Sequence, residues 1–138
     1  VTSIGQYAFR SCTSIKSVTI PGTVEQVPNY GFNGCSSLEN ITFGNGVKTI
    51  ANYAFENCKS IEKVVFPESI TSITNNSFNG CSSLVEVYFE GKVPPSNSST
   101  AFSSNASERL FYVPTASVDR YKEKWGSSYT NLIVGYDF

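Results

Sequence analysis

Apolar side chains return along this chain at a step of 23 residues. Phe9, Phe32, Phe55 and Phe78 form one column, and Ile15, Leu38, Ile61 and Leu84 a second. Val18, Ile41, Val64 and Val87 form a third, and Ile20, Phe43, Phe66 and Phe89 a fourth. Ile4, Val27, Ile50 and Ile73, then Val1, Val24, Val47 and Ile70, complete the apolar set. Within each copy, Ile15-x-x-Val18-x-Ile20 predicts a turn leading into a short strand. Period-two alternation puts Val18 and Ile20 on one face and Thr19 on the other. Pro21-Gly22, Gly44-Asn45-Gly46 and Pro67-Glu68 close that strand with turn chemistry. A second extended run, such as Val24–Val27, follows. Asn52–Asn57 is too short for a full helix and predicts a helical or 3₁₀ turn.

The copies are residues 1–23, 24–46, 47–69 and 70–92. A degenerate fifth covers 93–114 if one residue is inserted within Val93–Thr100. Phe102 then continues the Phe column, and Phe111 and Val113 continue the strand columns. Without the insertion, Leu110 and Tyr112 would point inward instead. One such coil cannot bury its apolar side alone, whereas stacked coils can. The pattern therefore predicts a solenoid of parallel strands rising about 4.8 Å per coil, with like side chains stacked on like.

The cysteines keep the same step, at Cys12, Cys35, Cys58 and Cys81. They lack the short paired spacing of zinc sites. A column of thiols packed as small hydrophobes is favoured over disulfides or a metal. With the inserted residue the column ends on Asn105.

The pattern Ile-x-x-Tyr-Ala-Phe-x-x-Cys-x-x-Ile-x-x-Val-x-Ile-Pro over residues 4–21 resembles the BspA-like leucine-rich repeat. The match is close over 1–92 and loose over 93–114. Only four leucines occur in the chain, but Ile, Val and Phe fill an inward position equally well. The resemblance implies a right-handed solenoid on secreted or surface proteins of bacteria, many of them Bacteroidetes, and of some protists. Known members include adhesins that bind host matrix proteins.

Residues 115–138 read as a C-terminal cap over the solenoid of 1–114. Ala116–Trp125 predicts a short helix, capped by Ser117 or Thr115, with Val118, Tyr121 and Trp125 on one face. Leu132-Ile133-Val134 predicts a last strand. Such a cap covers the final apolar coil, and Tyr112-Val113-Pro114 followed by Tyr121 and Trp125 is similar to the family's cap. No cap precedes Val1. The chain also lacks methionine, so the expectation is a fragment whose upstream repeats, signal and anchor lie outside it. The alternative is association of copies through the uncapped first coil.

Composition narrows the chemistry. Ten basic against eleven acidic residues give a net charge of −1, without the basic signature of nucleic-acid binding. No apolar run approaches the ~18 residues of a membrane span. The absence of histidine removes Ser-His-Asp and Cys-His catalysis and His-ligated metals. No phosphate-binding loop, nucleophile elbow or paired-carboxylate site is present. Neither catalytic residues nor cofactor or metal ligands are expected. Asn40-Ile-Thr42 and three similar triplets match the glycosylation signal, as an Asn- and Ser-rich chain will by chance.

The outward strand positions remain. One column reads Thr19, Thr42, Val65, Tyr88 and Tyr112; its neighbours include Lys16, Glu39, Glu62 and Val85, then Ser17, Asn40, Lys63 and Glu86. Thr42, Lys63, Val65, Val85, Glu86, Tyr88 and Tyr112 are the candidate ligand-binding residues, with Tyr88 and Tyr112 as exposed anchors. The Phe column reads as core, and Tyr7, Tyr30 and Tyr53 as packing. The expected function is a non-catalytic cell-surface adhesion module recognising a protein or glycan on a host or neighbouring cell. The rivals are a structural spacer or self-associating scaffold, and an accessory domain of a larger surface enzyme.

Overall fold

A computed structural model describes residues 1–138. Each coil contributes a four- or five-residue strand: β1 (Ser17–Ile20), β3 (Asn40–Phe43), β5 (Lys63–Phe66), β7 (Glu86–Phe89) and β9 (Leu110–Pro114). Between these lie two-residue strands: β2 (Gln26–Val27), β4 (Thr49–Ile50), β6 (Ser72–Ile73) and β8 (Ser96–Asn97). All pairing is parallel, and residues 23 apart face each other, as Ser17 faces Asn40. From β7 to β9 the step becomes 24, pairing Val87 with Phe111. The inserted residue is therefore real. Phe102, Phe111 and Val113 are buried, while Leu110 and Tyr112 are only half-buried.

The core is the set of repeated columns. Phe9, Phe32, Phe55 and Phe78 stack ring on ring at 5.1 Å, and Phe102 continues the stack at 5.5 Å. Phe43, Phe66 and Phe89 form a second stack. The two meet edge-to-face, Phe43 against Phe55 at 89° and Phe66 against Phe78 at 87°. Both geometries suit the aromatic quadrupole.

The corner of each coil differs from expectation. Asn52–Asn57 forms successive turns rather than a 3₁₀ helix, because Tyr53 and Asn57 sit at φ 59° and 62°. The left-handed residues alternate the direction of the amides. Ala54 and Glu56 donate back within the turn, to Ala51 and Tyr53, while Tyr53, Phe55 and Asn57 donate to Asn75, Ser77 and Asn79 of the next coil. The corner is thus a third hydrogen-bond ladder between coils.

The thiols belong to this corner. Cys35, Cys58 and Cys81 donate through Sγ to the carbonyls of Phe9, Phe32 and Phe55, at 3.1, 3.2 and 3.1 Å. Asn105 ends the column by the same bond, Nδ2 to the Phe78 carbonyl at 2.9 Å. Burial pushes the Cys35 and Cys58 thiols up and takes Cys81 to about 12 from an ordinary 9.0. An unfolded thiol therefore ionises before the folded one. The contribution of these thiols to stability is therefore expected to be complete below pH 9 and to fall as pH rises toward 12. At neutral pH, iodoacetamide is expected to alkylate Cys12, which is partly exposed. Cys58 and Cys81 should react only after denaturation, and mass spectrometry of the native protein checks this.

The long-strand ladder has one break. β1 pairs with β3, and β5-β7-β9 pair in turn, but β3 and β5 belong to different sheets. Gly44 donates to Ile20 and Glu90 to Phe66. The equivalent residue between them is Pro67, which has no amide hydrogen to give Phe43. Glu39 and Glu62 also face each other one coil apart, and like charges in register are unfavourable. Glu62 and Lys63 make no bond to the Glu39 carbonyl, although their counterparts on either side do. In Pro67→Ala the new amide at position 67 is expected to bond the Phe43 carbonyl and to be protected from exchange to the same degree as the bonded amides of Gly44 and Glu90. Native-state hydrogen exchange reads it.

The cap begins with a 3₁₀ turn, Thr115–Ser117, and continues as α1 (Val118–Trp125). Neither predicted cap operates. Ser117 makes no capping bond, and the Thr115 hydroxyl donates to Asp137 instead. Tyr121 is fully buried and donates to the Gly91 carbonyl at 2.6 Å, while Trp125 donates to Pro95 at 2.9 Å. The last strand, β10 (Ile133–Tyr136), pairs in parallel with β9 and so extends the solenoid ladder. Asn97 takes the inward place after Ile73, where its buried amide lies against the Tyr129 hydroxyl of the cap.

Candidate functional site

The outward side of the long strands gathers the side chains that differ from coil to coil. Over the outer face of β3 and β5, where the ladder bonds between them are missing, lies a cleft of about 720 Å³. Its walls are Glu39, Asn40, Ile41 and Thr42 on one side, and Lys59, Ser60, Glu62, Lys63, Val65 and Ser83 on the other. Of the sequence-predicted residues, Thr42, Lys63 and Val65 line it. The only ion pair in the chain is Lys48–Glu25, on a different face. The two glutamates and two lysines of the cleft are therefore unpaired.

Beyond Lys63 the face becomes aromatic. Lys63 Nζ lies 4.8 Å over the Tyr88 ring. Tyr112 stacks on Tyr88 at 4.6 Å, and Tyr136 stands edge-on to both. Phe138 packs against Tyr88 and Tyr136. Tyr88 is not the exposed anchor expected. Only 8% of it is accessible, because Tyr112 and the C-terminal residues cover it. Its hydroxyl donates to Glu86 at 2.8 Å. Burial, and then that bond, push its pKa up to about 12. Glu86 is thereby held by Tyr88. Val85 is half-buried beside β7. The exposed aromatics are Tyr136 at 43% and Phe138 at 56%. Sequence reasoning missed them by ending the last strand at Val134. The signal was the alternation Val134, Tyr136, Phe138, which continues the outward face.

A second aromatic file lies on the corner. Tyr7, Tyr30 and Tyr53 stack at 4.9 and 4.8 Å, with Tyr7 48% exposed and the others half-buried. Their packing is with one another at the surface and not in the core. All three hold φ between 58° and 61°, an arrangement uncommon for bulky residues. Asn76 takes the same conformation in the fourth coil. Beside them, Asn33 and Asn79 each donate to one oxygen of Glu56. The ring faces are used on each other, so only the two end rings, Tyr7 and Tyr53, keep one face out of the stack.

No three metal-ligating side chains come together, and no helix is long and apolar enough to cross a membrane. Parallel strands in stacked 23-residue coils, with a repeated core and an unrepeated outer face, define a leucine-rich-repeat solenoid. The chain belongs to the BspA type leucine rich repeat region family, whose model matches residues 2–123 with six copies; the backbone winds the repeats into five coils, the fifth irregular. A leucine-rich-repeat protein of T. pallidum, TpLRR, is similar at 31% identity and a TM-score of 0.74, over 83% of this chain and 52% of that one. The pneumococcal vaccine antigen PcpA shares the fold at 17% identity and a TM-score of 0.73, over 99% of this chain and 40% of that one. The chain thus spans about half of TpLRR and less of PcpA. No curated protein matches it significantly.

Proposed function

We propose that this chain is a non-catalytic recognition module of a bacterial cell-surface protein, and that it takes its partner on the outer face of the long strands. One observation carries the reading. Inward positions of the long strands stay apolar in every coil, whereas the columns Lys16/Glu39/Glu62/Val85 and Thr19/Thr42/Val65/Tyr88/Tyr112 change in charge and polarity along the stack. Stacking needs the repeated residues; it leaves the others free to be set by a partner. Lys63 of the cleft lies over Tyr88, which Tyr112, Tyr136 and Phe138 cover in turn, so polar and apolar surfaces follow one another along the same face. Family membership supports the surface location, and the pneumococcal antigen supports the fold alone.

The test is a panel of immobilised matrix proteins and glycans probed with the wild type and with Thr42→Arg/Val65→Arg. The arginines fill the cleft without touching the core. Binding by the wild type that falls by roughly tenfold or more in the double variant supports the reading, a loss of about 1.4 kcal/mol. Unchanged binding in the double variant rejects it.

A further inference from the structure

We infer that the cleft on the outer face of β3 and β5 is a binding site for a short neutral oligosaccharide. This rests on the reading of the long-strand face as the recognition surface and specifies its ligand. The cleft's size, about 720 Å³, lies within the usual range of small-ligand sites, roughly 300–1,000 Å³.

Its chemistry selects the class. Only Ile41 and Val65 of its ten lining residues are apolar, so an acyl chain or the apolar face of a helix finds no groove. Glu39 and Glu62 balance Lys59 and Lys63, and none of the four is ion-paired. A polyanion meets two carboxylates and a polycation two ammonium groups, so a strongly charged ligand gains on one wall what it loses on the other. Ionised carboxylates only accept and ammonium groups only donate, while Ser83, Thr42 and Asn40 do both. A ligand that satisfies all of them carries many groups that donate and accept at once. Arrays of hydroxyls do this without net charge. A peptide adding itself as a strand needs an open sheet edge, and here the two edges of the break face each other. Tyr112, half-buried, and Tyr136, exposed, continue the same outer face beyond Tyr88, outside the cleft itself.

The missing ladder bonds are local. Pro67 has no amide to give Phe43 at one end of the strand pair, and at the other end Glu62 and Lys63 make no bond to the Glu39 carbonyl. Glu39, Glu62 and Lys63 also line the cleft.

Isothermal titration of the full chain with neutral tetrasaccharides of glucose, mannose and galactose, and with tetragalacturonate as the acidic control, tests the inference. At least one neutral sugar is expected to bind. Its Kd should change less than about twofold between about 50 and 500 mM salt, since no net charge is neutralised. Glu62→Ala and Lys63→Ala should each weaken it roughly tenfold, the size of a lost hydrogen bond to a charged group. Circular dichroism should remain native. Three results would overturn the inference: tighter binding of tetragalacturonate, neutral-sugar binding that survives both substitutions, or no neutral binding at all. If in the last case a matrix protein is still lost on Thr42→Arg/Val65→Arg, the recognition face stands and only the sugar assignment falls. If sugar binding survives that double variant but is lost on Tyr30→Ala, both fall.

Discussion

Phe55→Ala is expected to lower the unfolding free energy by about 3–5 kcal/mol, the range for removing a fully buried aromatic ring. Phe55 has no accessible surface. Its ring stacks between Phe32 and Phe78, both at 5.1 Å, and meets the edge of Phe43. Its carbonyl accepts from the Cys81 thiol and its amide donates to Ser77. The cavity therefore opens in the middle of the stack, where both neighbours lose a partner. Solenoid stability is close to a sum of coil and interface terms. Phe55 lies in the third coil, just beyond the unpaired β3/β5 step. The first two coils are accordingly expected to melt ahead of the rest, giving a broader urea transition. Amides of β1 and β3 should exchange before those of β7 and β9. Phe55→Leu should recover some of the loss. A cost below about 1 kcal/mol would mean that the Phe column does not carry the core.

Trp125→Ala is expected to cost about 3 kcal/mol, at the lower end of the range because the indole is only partly buried. Trp125 presents its edge or face to Phe89, Phe111, Tyr121 and Tyr129 at 5.0–5.5 Å. Its indole N–H serves the Pro95 carbonyl in the irregular fifth coil. Losing it uncovers the apolar end that the cap exists to close. The variant should bind a hydrophobic dye and aggregate on warming, as an uncapped repeat array does. Trp125→Phe separates the two contributions. It keeps ring contact and gives up the hydrogen bond, for about 1 kcal/mol. A Trp125→Ala variant with the wild-type midpoint and no dye binding would show that α1 is not a cap.

Much of this architecture is legible in the residues because a solenoid writes its contacts as a period. The Phe, Val and Ile columns each name a stack, and the shift at Phe102, Phe111 and Val113 locates the inserted residue. Asn105 can be placed as the end of the cysteine column, although its bond to Phe78 needs coordinates. The corner is harder to read. Tyr53 and Asn57 are ambiguous at short range, and their left-handed backbone is fixed by carbonyls of the neighbouring coil 22 residues on, as in the bond from the Tyr53 amide to Asn75. Thr115 is misread from sequence because its hydroxyl is used by Asp137, a contact between the two ends of the cap.

The candidate site is half legible. Alternation places Thr42, Lys63, Val65 and Tyr112 on the outer face. It does not show that Tyr88 is covered, since its cover comes from Tyr136 and Phe138, about 50 residues away in the chain. Pro67 is visible as a turn residue, but its consequence is not. A missing amide matters only once the carbonyl opposite it, Phe43, is known. The same residue type ends a strand harmlessly at Pro21, in the first coil, and interrupts the ladder at Pro67, in the third.

The division between repeated core and unrepeated recognition face can be measured directly. Amide chemical-shift changes in the full chain, recorded on titration with a neutral sugar or matrix protein retained in the binding panel, map the contact surface. They are expected to cluster on β3, β5, β7 and β9, and to be largest around Thr42, Lys63, Val65 and Tyr112. A cluster on the Tyr7–Tyr30–Tyr53 corner, or along β2, β4, β6 and β8, would contradict that division.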